Sequence, residues 1–245
     1  MKKLWMTTGL AALFVVFLIV FSRIAVSIAT TADQVPAPPA PKPAPVRKLI
    51  IVGERWAPFE YLDDGQTRGI DAEVLERIFT KLGVDYEIQF YPWSRAWLMA
   101  QNGKADAVIS VSYKKSREKY LLYTDSQRRF AETGAWPAEY LWSSEYVFFC
   151  RQIHHDSFRF ESYTQIKQDG YRLATIQDYS YNREFRAAQL QPTAVVPDQD
   201  AGYKLLAAGE VDLFPNEKTV GLAALKRLGL RDKITIIAKP MFRKP

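Results

Sequence analysis

From residue 49 onward, short apolar runs alternate with stretches whose apolar residues recur every three or four positions. Residues 49–52 form a β-type run. Val74, Leu75, Ile78, Phe79 and Leu82 then share one helical face, with Asp71 as the expected N-cap and Gly83 as the stop. Residues 86–91 alternate as a strand, Ser94 is expected to cap a helix ending near Gly103, and 107–111 read as a buried strand. This βαβαβ order implies a largely parallel sheet. Residues 126–145 break the rhythm. It restarts with strands at 146–150, 172–177, 193–196, 211–214 and 234–238, and helices at 181–190, 200–208 and 220–228. Two α/β units in succession predict a cleft between lobes, a favoured place for small-molecule sites.

The first 47 residues follow other rules. Lys2 and Lys3 precede a mainly apolar stretch at 4–21, Arg23 follows, and Ser27-Ile28-Ala29 offers a cleavage site. Residues 1–29 therefore read as a signal peptide. A retained membrane anchor is the alternative, although the stretch is slightly short of the roughly 20 residues a spanning helix needs. Residues 30–47 form an Ala/Pro-rich linker, an extended spacer that neither a helix nor a central strand accommodates.

Charge narrows the partners. The chain carries +6 overall, but six of its 33 basic groups and one of its 27 acids lie in residues 1–48. The remainder is close to neutral, so nucleic acid is not an expected partner. Cys150, the single cysteine, lies in an apolar strand and reads as packing. His154-His155-Asp156 reads as a solvated turn, and no metal site, cofactor or phosphate loop is expected.

The residue of most interest is Arg117. It follows the 107–111 strand across a polar turn, and ligands of open α/β sheets bind beyond the carboxyl ends of strands. A guanidinium there offers a planar, permanently charged fork for a carboxylate.

Five stretches carry a wider resemblance: Trp56-Ala-Pro58-Phe59-Glu60-Tyr61 with Gly69-Ile-Asp71, Gly103-Lys-Ala-Asp106-Ala-Val-Ile-Ser110, Ser112 to Arg117, Tyr123-Thr-Asp125, and Gly209-Glu-Val-Asp212. In this order they resemble the family 3 extracellular solute-binding proteins, the amino-acid-type periplasmic receptors of ABC importers. The resemblance implies a two-lobed α/β fold with a hinged cleft, lobe 1 at 48–137 and lobe 2 at 138–237. Residues 238–245 would begin a return to lobe 1, whose C-terminal part is expected to be missing, leaving apolar surface open. It further implies a monomeric periplasmic receptor for a small carboxylate-bearing solute, partnered by an ABC permease, with no catalytic residue. The N-terminal helix, if uncleaved, would keep it on the inner membrane.

By position, Arg117 would clamp the carboxylate, helped by Ser110 and Ser112. Trp56, Phe59 and Tyr61 would form an aromatic wall. Tyr179 and Ser180 would present backbone N–H groups from the second lobe, and Asn216 or Glu217 would hold an ammonium. Trp93 and Trp97 are expected to serve helix packing. Lys114, Asp178 and the Pro215-Asn216-Glu217 run depart from the family pattern. They point away from a standard α-amino acid, towards a dicarboxylate, a small peptide fragment or another zwitterion. At Asp178 a non-glycine costs little if φ stays negative, but an anionic side chain beside a carboxylate site would repel it. Two other readings stand beside the receptor: an enzyme like the cyclohexadienyl dehydratases of the same fold, using Glu60 or Glu217, and a membrane-tethered sensor.

Overall fold

The computed structural model describes residues 47–138 and 140–245. The signal or anchor at 1–29 and all of the 30–47 linker except Arg47 lie outside the described residues. Among the described residues, no helix is long and apolar enough to cross a membrane.

The first lobe is built on β1 (Leu49–Gly53), whose Ile51 and Val52 are buried. A small hairpin follows, β2 (Tyr61–Asp63) and β3 (Gln66–Arg68). Helix α1 (Ile70–Leu82) starts at Gly69 rather than at Asp71. Gly69 has φ 117°, and a Cβ there would collide with the Phe59 carbonyl. Asp71 sits inside the first turn, freeing its carboxylate to accept from Ser110 Oγ and Trp142 Nε1, each at 2.8 Å. Ile78 and Leu82 of the apolar face remain 45% and 65% exposed, so α1 is only partly covered.

Strand β4 (Tyr86–Phe90) and helix α2 (Trp93–Gln101) come next. Pro92, not Ser94, occupies the cap of α2. Strand β5 is only Ala107–Val108, because Ser110 turns the chain with φ 54°. Strands β4 and β5 flank β1, all parallel, as the βαβαβ pattern requires. The rhythm break contains a helix the apolar pattern did not reveal, α3 (Asp125–Thr133). Its signal is a capping box in which Thr124 and Gln127 satisfy each other's backbone N–H groups.

The second lobe centres on β6 (Ser144–Arg151). Val147 to Cys150 are fully buried on both faces, which explains the unbroken apolar run. Helix α4 (Tyr163–Gln168), strand β7 (Ala174–Ile176), helix α5 (Asn182–Ala187), strand β8 (Ala194–Val196), helix α6 (Gln199–Ala208), strand β9 (Phe214–Glu217), helix α7 (Lys218–Leu228), strand β10 (Ile234–Ile236) and strand β11 (Phe242–Lys244) follow. Strand β9 lies later than the expected 211–214 because its register is set by antiparallel pairing to Tyr146–Phe149 of β6. The other edge of β6 takes β10 and then β11. Residues 238–245 thus run along the second-lobe sheet, and they touch the first lobe through the Lys244 side chain alone among the side-chain hydrogen bonds of this segment. β7 and β8 pair in parallel, and a Leu173–Leu213 bridge joins them towards β9.

Helix α7 approaches β6 closely at Gly221, where a Cβ would enter the Phe149 ring and the Tyr203 hydroxyl. Gly221→Ala should therefore lower stability by about 1–3 kcal/mol through overpacking. Urea denaturation measures it, and an unchanged midpoint would show that the interface has slack the geometry does not reveal.

Candidate functional site

Arg117 lies on a short 3-10 turn (Lys115–Arg117) just after β5, and only 4% of its surface is exposed. Its Nη1 donates to the Ser112 carbonyl at 2.8 Å, and its Nη2 donates across the cleft to the Asp178 carbonyl at 3.4 Å. The guanidinium carbon sits 5.3 Å from the Trp93 ring and 4.9 Å from the Trp97 ring. These tryptophans do pack α2, and they also cradle the cation, a contribution of about 1–2 kcal/mol when desolvated. Burial lowers the Arg117 pKa, but an arginine stays charged in a protein.

From the second lobe, the turn 178–180 faces this group. Asp178 adopts φ 60°, so the condition under which a non-glycine there costs little does not hold. A left-handed residue costs roughly 1–2 kcal/mol, least for Asn, Asp and Gly. In this conformation the Asp178 carbonyl accepts from Arg117 and, at 3.3 Å, from Trp93 Nε1. The Tyr179 carbonyl accepts from Lys114 Nζ at 3.3 Å, and the Tyr179 hydroxyl donates to Glu54 Oε2 at 2.5 Å. Gln199 adds another cross-cleft bond, to the Arg55 carbonyl at 3.2 Å.

The lobes close over a space of about 30 Å³, bounded from the first lobe by Arg117, Trp93, Ser110, Ser112, Glu54, Trp56 and Glu60 and from the second by Tyr146, Tyr179 and Ser180. That is room for one or two waters. Three polar atoms of these wall residues are buried without a partner: Glu54 Oε1, Glu60 Oε2 and Trp56 Nε1. Burial raises the Glu54 carboxyl to about 8, outweighing the Tyr179 hydrogen bond that lowers it, and Asp198 adds to the rise. Glu60 is also raised well above the carboxylate range, by burial and by the neighbouring Asp71.

Of the residues named from the sequence, Arg117, Ser110, Ser112, Trp56, Tyr179 and Ser180 share this cavity. Phe59 does not line it and is buried behind, stacked on Trp142 with ring centroids 4.2 Å apart. Tyr61 borders a different hollow with Arg55 and Asp198. Asn216 and Glu217 do not reach the cleft. Asn216 Nδ2 donates to Gln199 Oε1 at 3.0 Å and to the Tyr203 hydroxyl at 3.2 Å, and Glu217 caps α7 by accepting from Val220 N at 2.8 Å. Both are consumed by second-lobe packing. The acids that do face the cavity are Glu54 and Glu60. Glu54 was missed, although an acid immediately after a buried strand, at its carboxyl end, was a signal to find it.

Residues 49–135 match the family of bacterial extracellular solute-binding proteins, family 3. The matched residues run from β1 through α3. The whole described fold is of the periplasmic-binding type. It resembles a histidine kinase sensor domain with similarity to periplasmic binding proteins at TM-score 0.66 and 18% identity, over 80% of this chain and 79% of that one. It resembles the arginine-, lysine-, histidine-binding protein ArtJ of Geobacillus stearothermophilus at 0.63 and 17%, covering 81% and 78%. It resembles the amino acid ABC transporter substrate-binding protein AbpA of Streptococcus pneumoniae, bound to L-arginine, at 0.59 and 22%, covering 77% and 74%. No curated protein matches the chain.

The raised carboxyls make a pH signature. Folded Glu54 holds its proton to about pH 8, whereas unfolded it ionises near 4.5, so the folded state binds more protons between these values. Stability is thus greatest below the unfolded pKa and falls as pH rises through the window. Glu54→Gln should lessen the fall in melting temperature between pH 5 and 7, while Glu60 and Glu217, both also raised by burial, still contribute in the same direction. An unaltered slope in thermal melts would mean that Glu54 ionises freely.

Proposed function

We propose that the chain is a non-catalytic solute-binding receptor that closes its two lobes on a small carboxylate-bearing zwitterion. The observation that carries this reading is the pairing, across one cavity, of the buried Arg117 guanidinium with two buried carboxyls that have unpartnered oxygens. Arg117 receives the solute carboxylate, with Ser110, Ser112 and Ser180 beside it. Glu54 and Glu60 receive an ammonium, a role assigned from the sequence to Asn216 or Glu217. An ammonium would displace the proton that burial holds on Glu54. Trp56 and Trp93 cover the apolar part.

In the closed form Arg117 donates to Asp178 and Ser112 carbonyls. A solute enters only if the lobes part, and its carboxylate then replaces the Asp178 carbonyl as acceptor. This is hinge closure stabilised by differential contacts, which needs no covalent chemistry. The family's extracellular setting, and neighbours that serve ABC importers, support a receptor outside the cytoplasm that hands its solute to a permease. A sensor domain tethered by the N-terminal segment is the second reading, supported by the likeness to a kinase sensor domain and by the proline spacer. Recovery of an uncleaved N-terminus in the membrane fraction would select it.

Removing Arg117 takes away charge-assisted hydrogen bonds worth about 1.5–3 kcal/mol. In calorimetric titration with amino acids and small carboxylates, Arg117→Ala should bind the best solute about 10- to 150-fold more weakly. Equal affinity in the variant would dismiss the clamp.

A further inference from the structure

Three cations converge on the inter-lobe cleft, and none is ion-paired among the described residues. Arg117 bonds the carbonyls of Ser112 and Asp178, and Lys114 bonds the Tyr179 carbonyl. Lys244, on β11, donates from Nζ to the Ser112 hydroxyl of the first lobe and, at 3.0 Å, to the Ser180 hydroxyl of the second. Every acceptor is a neutral oxygen. The contrast with nearby cations is sharp, since Lys115 is paired with Glu118, and both Lys218 and Arg243 with Glu145. Glu184, an acid on the same hollow, pairs through Oε1 with Arg183 at 2.9 Å; its Oε2 is buried without a hydrogen-bond partner and eases the charge of both lysines without contacting either.

With Arg117 buried and the two lysines half-buried, these cations repel one another and lose hydration, so a cluster with no directly paired anion is destabilising unless something supplies the charge. Burial, with Arg117 and then Lys114, pushes the Lys244 ammonium down to about 7. Lys114 is likewise pushed down to about 8 by burial and by Arg117. The two serines that hold Lys244 also bound the closed cavity, so Lys244 stands directly behind that wall, one side chain away from the cavity itself. Behind Lys244, with Lys114 also on its lining, opens a larger hollow of about 620 Å³. A solute reaching from Arg117 past Ser112 and Ser180 meets Lys244 first.

We infer that Lys244, with Lys114 and the Ser112 and Ser180 hydroxyls, forms a second anion subsite, so that the receptor selects solutes bearing two acidic groups over those bearing one. This rests on the receptor reading and deepens it. Arg117 takes one acid, and Lys244 and Lys114 take the other, a carboxylate or a phosphate. One group on the solute then supplies the missing negative charge for both lysines, and the serine hydroxyls turn from acceptors for Lys244 into donors to the anion.

The test compares isosteric pairs by calorimetric titration at pH 7: L-glutamate against L-glutamine and L-aspartate against L-asparagine, with glutarate and O-phospho-L-serine as further probes. At least one two-acid solute should bind about tenfold or more tightly than the single-acid probes, as loss of a charge-assisted contact implies. Lys244→Met should abolish that preference while leaving the empty protein at least as heat-stable as the parent, and Lys244→Arg should keep part of it. A preference for O-phospho-L-serine identifies the second acid as a phosphate, and one for L-glutamate, L-aspartate or glutarate as a carboxylate. If L-glutamine or L-asparagine binds as tightly as its acidic counterpart, with Arg117-dependence and no change in Lys244→Met, the subsite is overturned and the receptor stands. If no acidic solute binds at all, both are overturned.

Discussion

A guanidinium cannot shed its proton, so burying Arg117 obliges its surroundings to supply oxygens and π-faces wherever solvent is excluded. Much of the cleft follows from that obligation. The chain turns sharply after β5, at Ser110, so that the Ser112 carbonyl can accept. The second lobe tolerates a left-handed Asp178, which leaves that residue's carbonyl accepting from Arg117 and Trp93. Trp93 and Trp97 close the remaining sides. These acceptors come from both lobes, so the same cation that suits a carboxylate also draws the lobes together.

The opposite wall answers a different constraint. Glu54 and Glu60 are buried without cations and keep their protons because ionising there would forfeit hydration. Glu54 is held by a tyrosine hydroxyl from the other lobe. A cavity with charged donors on one side and protonated carboxyls on the other is polarised before any solute arrives. That arrangement suits a zwitterion better than a neutral molecule, and it limits how much negative charge the Glu54 side will accept. Further charge has to be met at the Lys244 end.

Much of the fold was legible in the apolar pattern. Strand β1, helix α1 with its stop at Gly83, strand β6 and helix α7 with its stop at Gly229 lie close to where periodicity puts them. Those elements bury apolar faces, and period is the direct record of a buried face. The errors fall where hydrogen bonds rather than burial decide. The start of α1 is fixed by the close approach of Gly69 to Phe59, β9 is shifted by pairing to β6, and α3 carries no buried residue, so its signal was the Thr124–Gln127 cap alone.

Residue chemistry near Arg117 was equally readable, because Ser110, Ser112 and Arg117 are neighbours along the chain and share one turn. The sequence by itself determined two α/β units, the apolar run at the heart of the second, and an arginine at the carboxyl end of a strand. What it could not determine is which distant groups meet that arginine. Only tertiary packing turned Glu54 and Glu60 inward, consumed Asn216 and Glu217 inside the second lobe, and carried Lys244 along β6 to the serines of the cleft. Charge carries no periodicity, and its meaning is set by solvent access and by neighbours far away in the chain, which become definite only when the lobes pack.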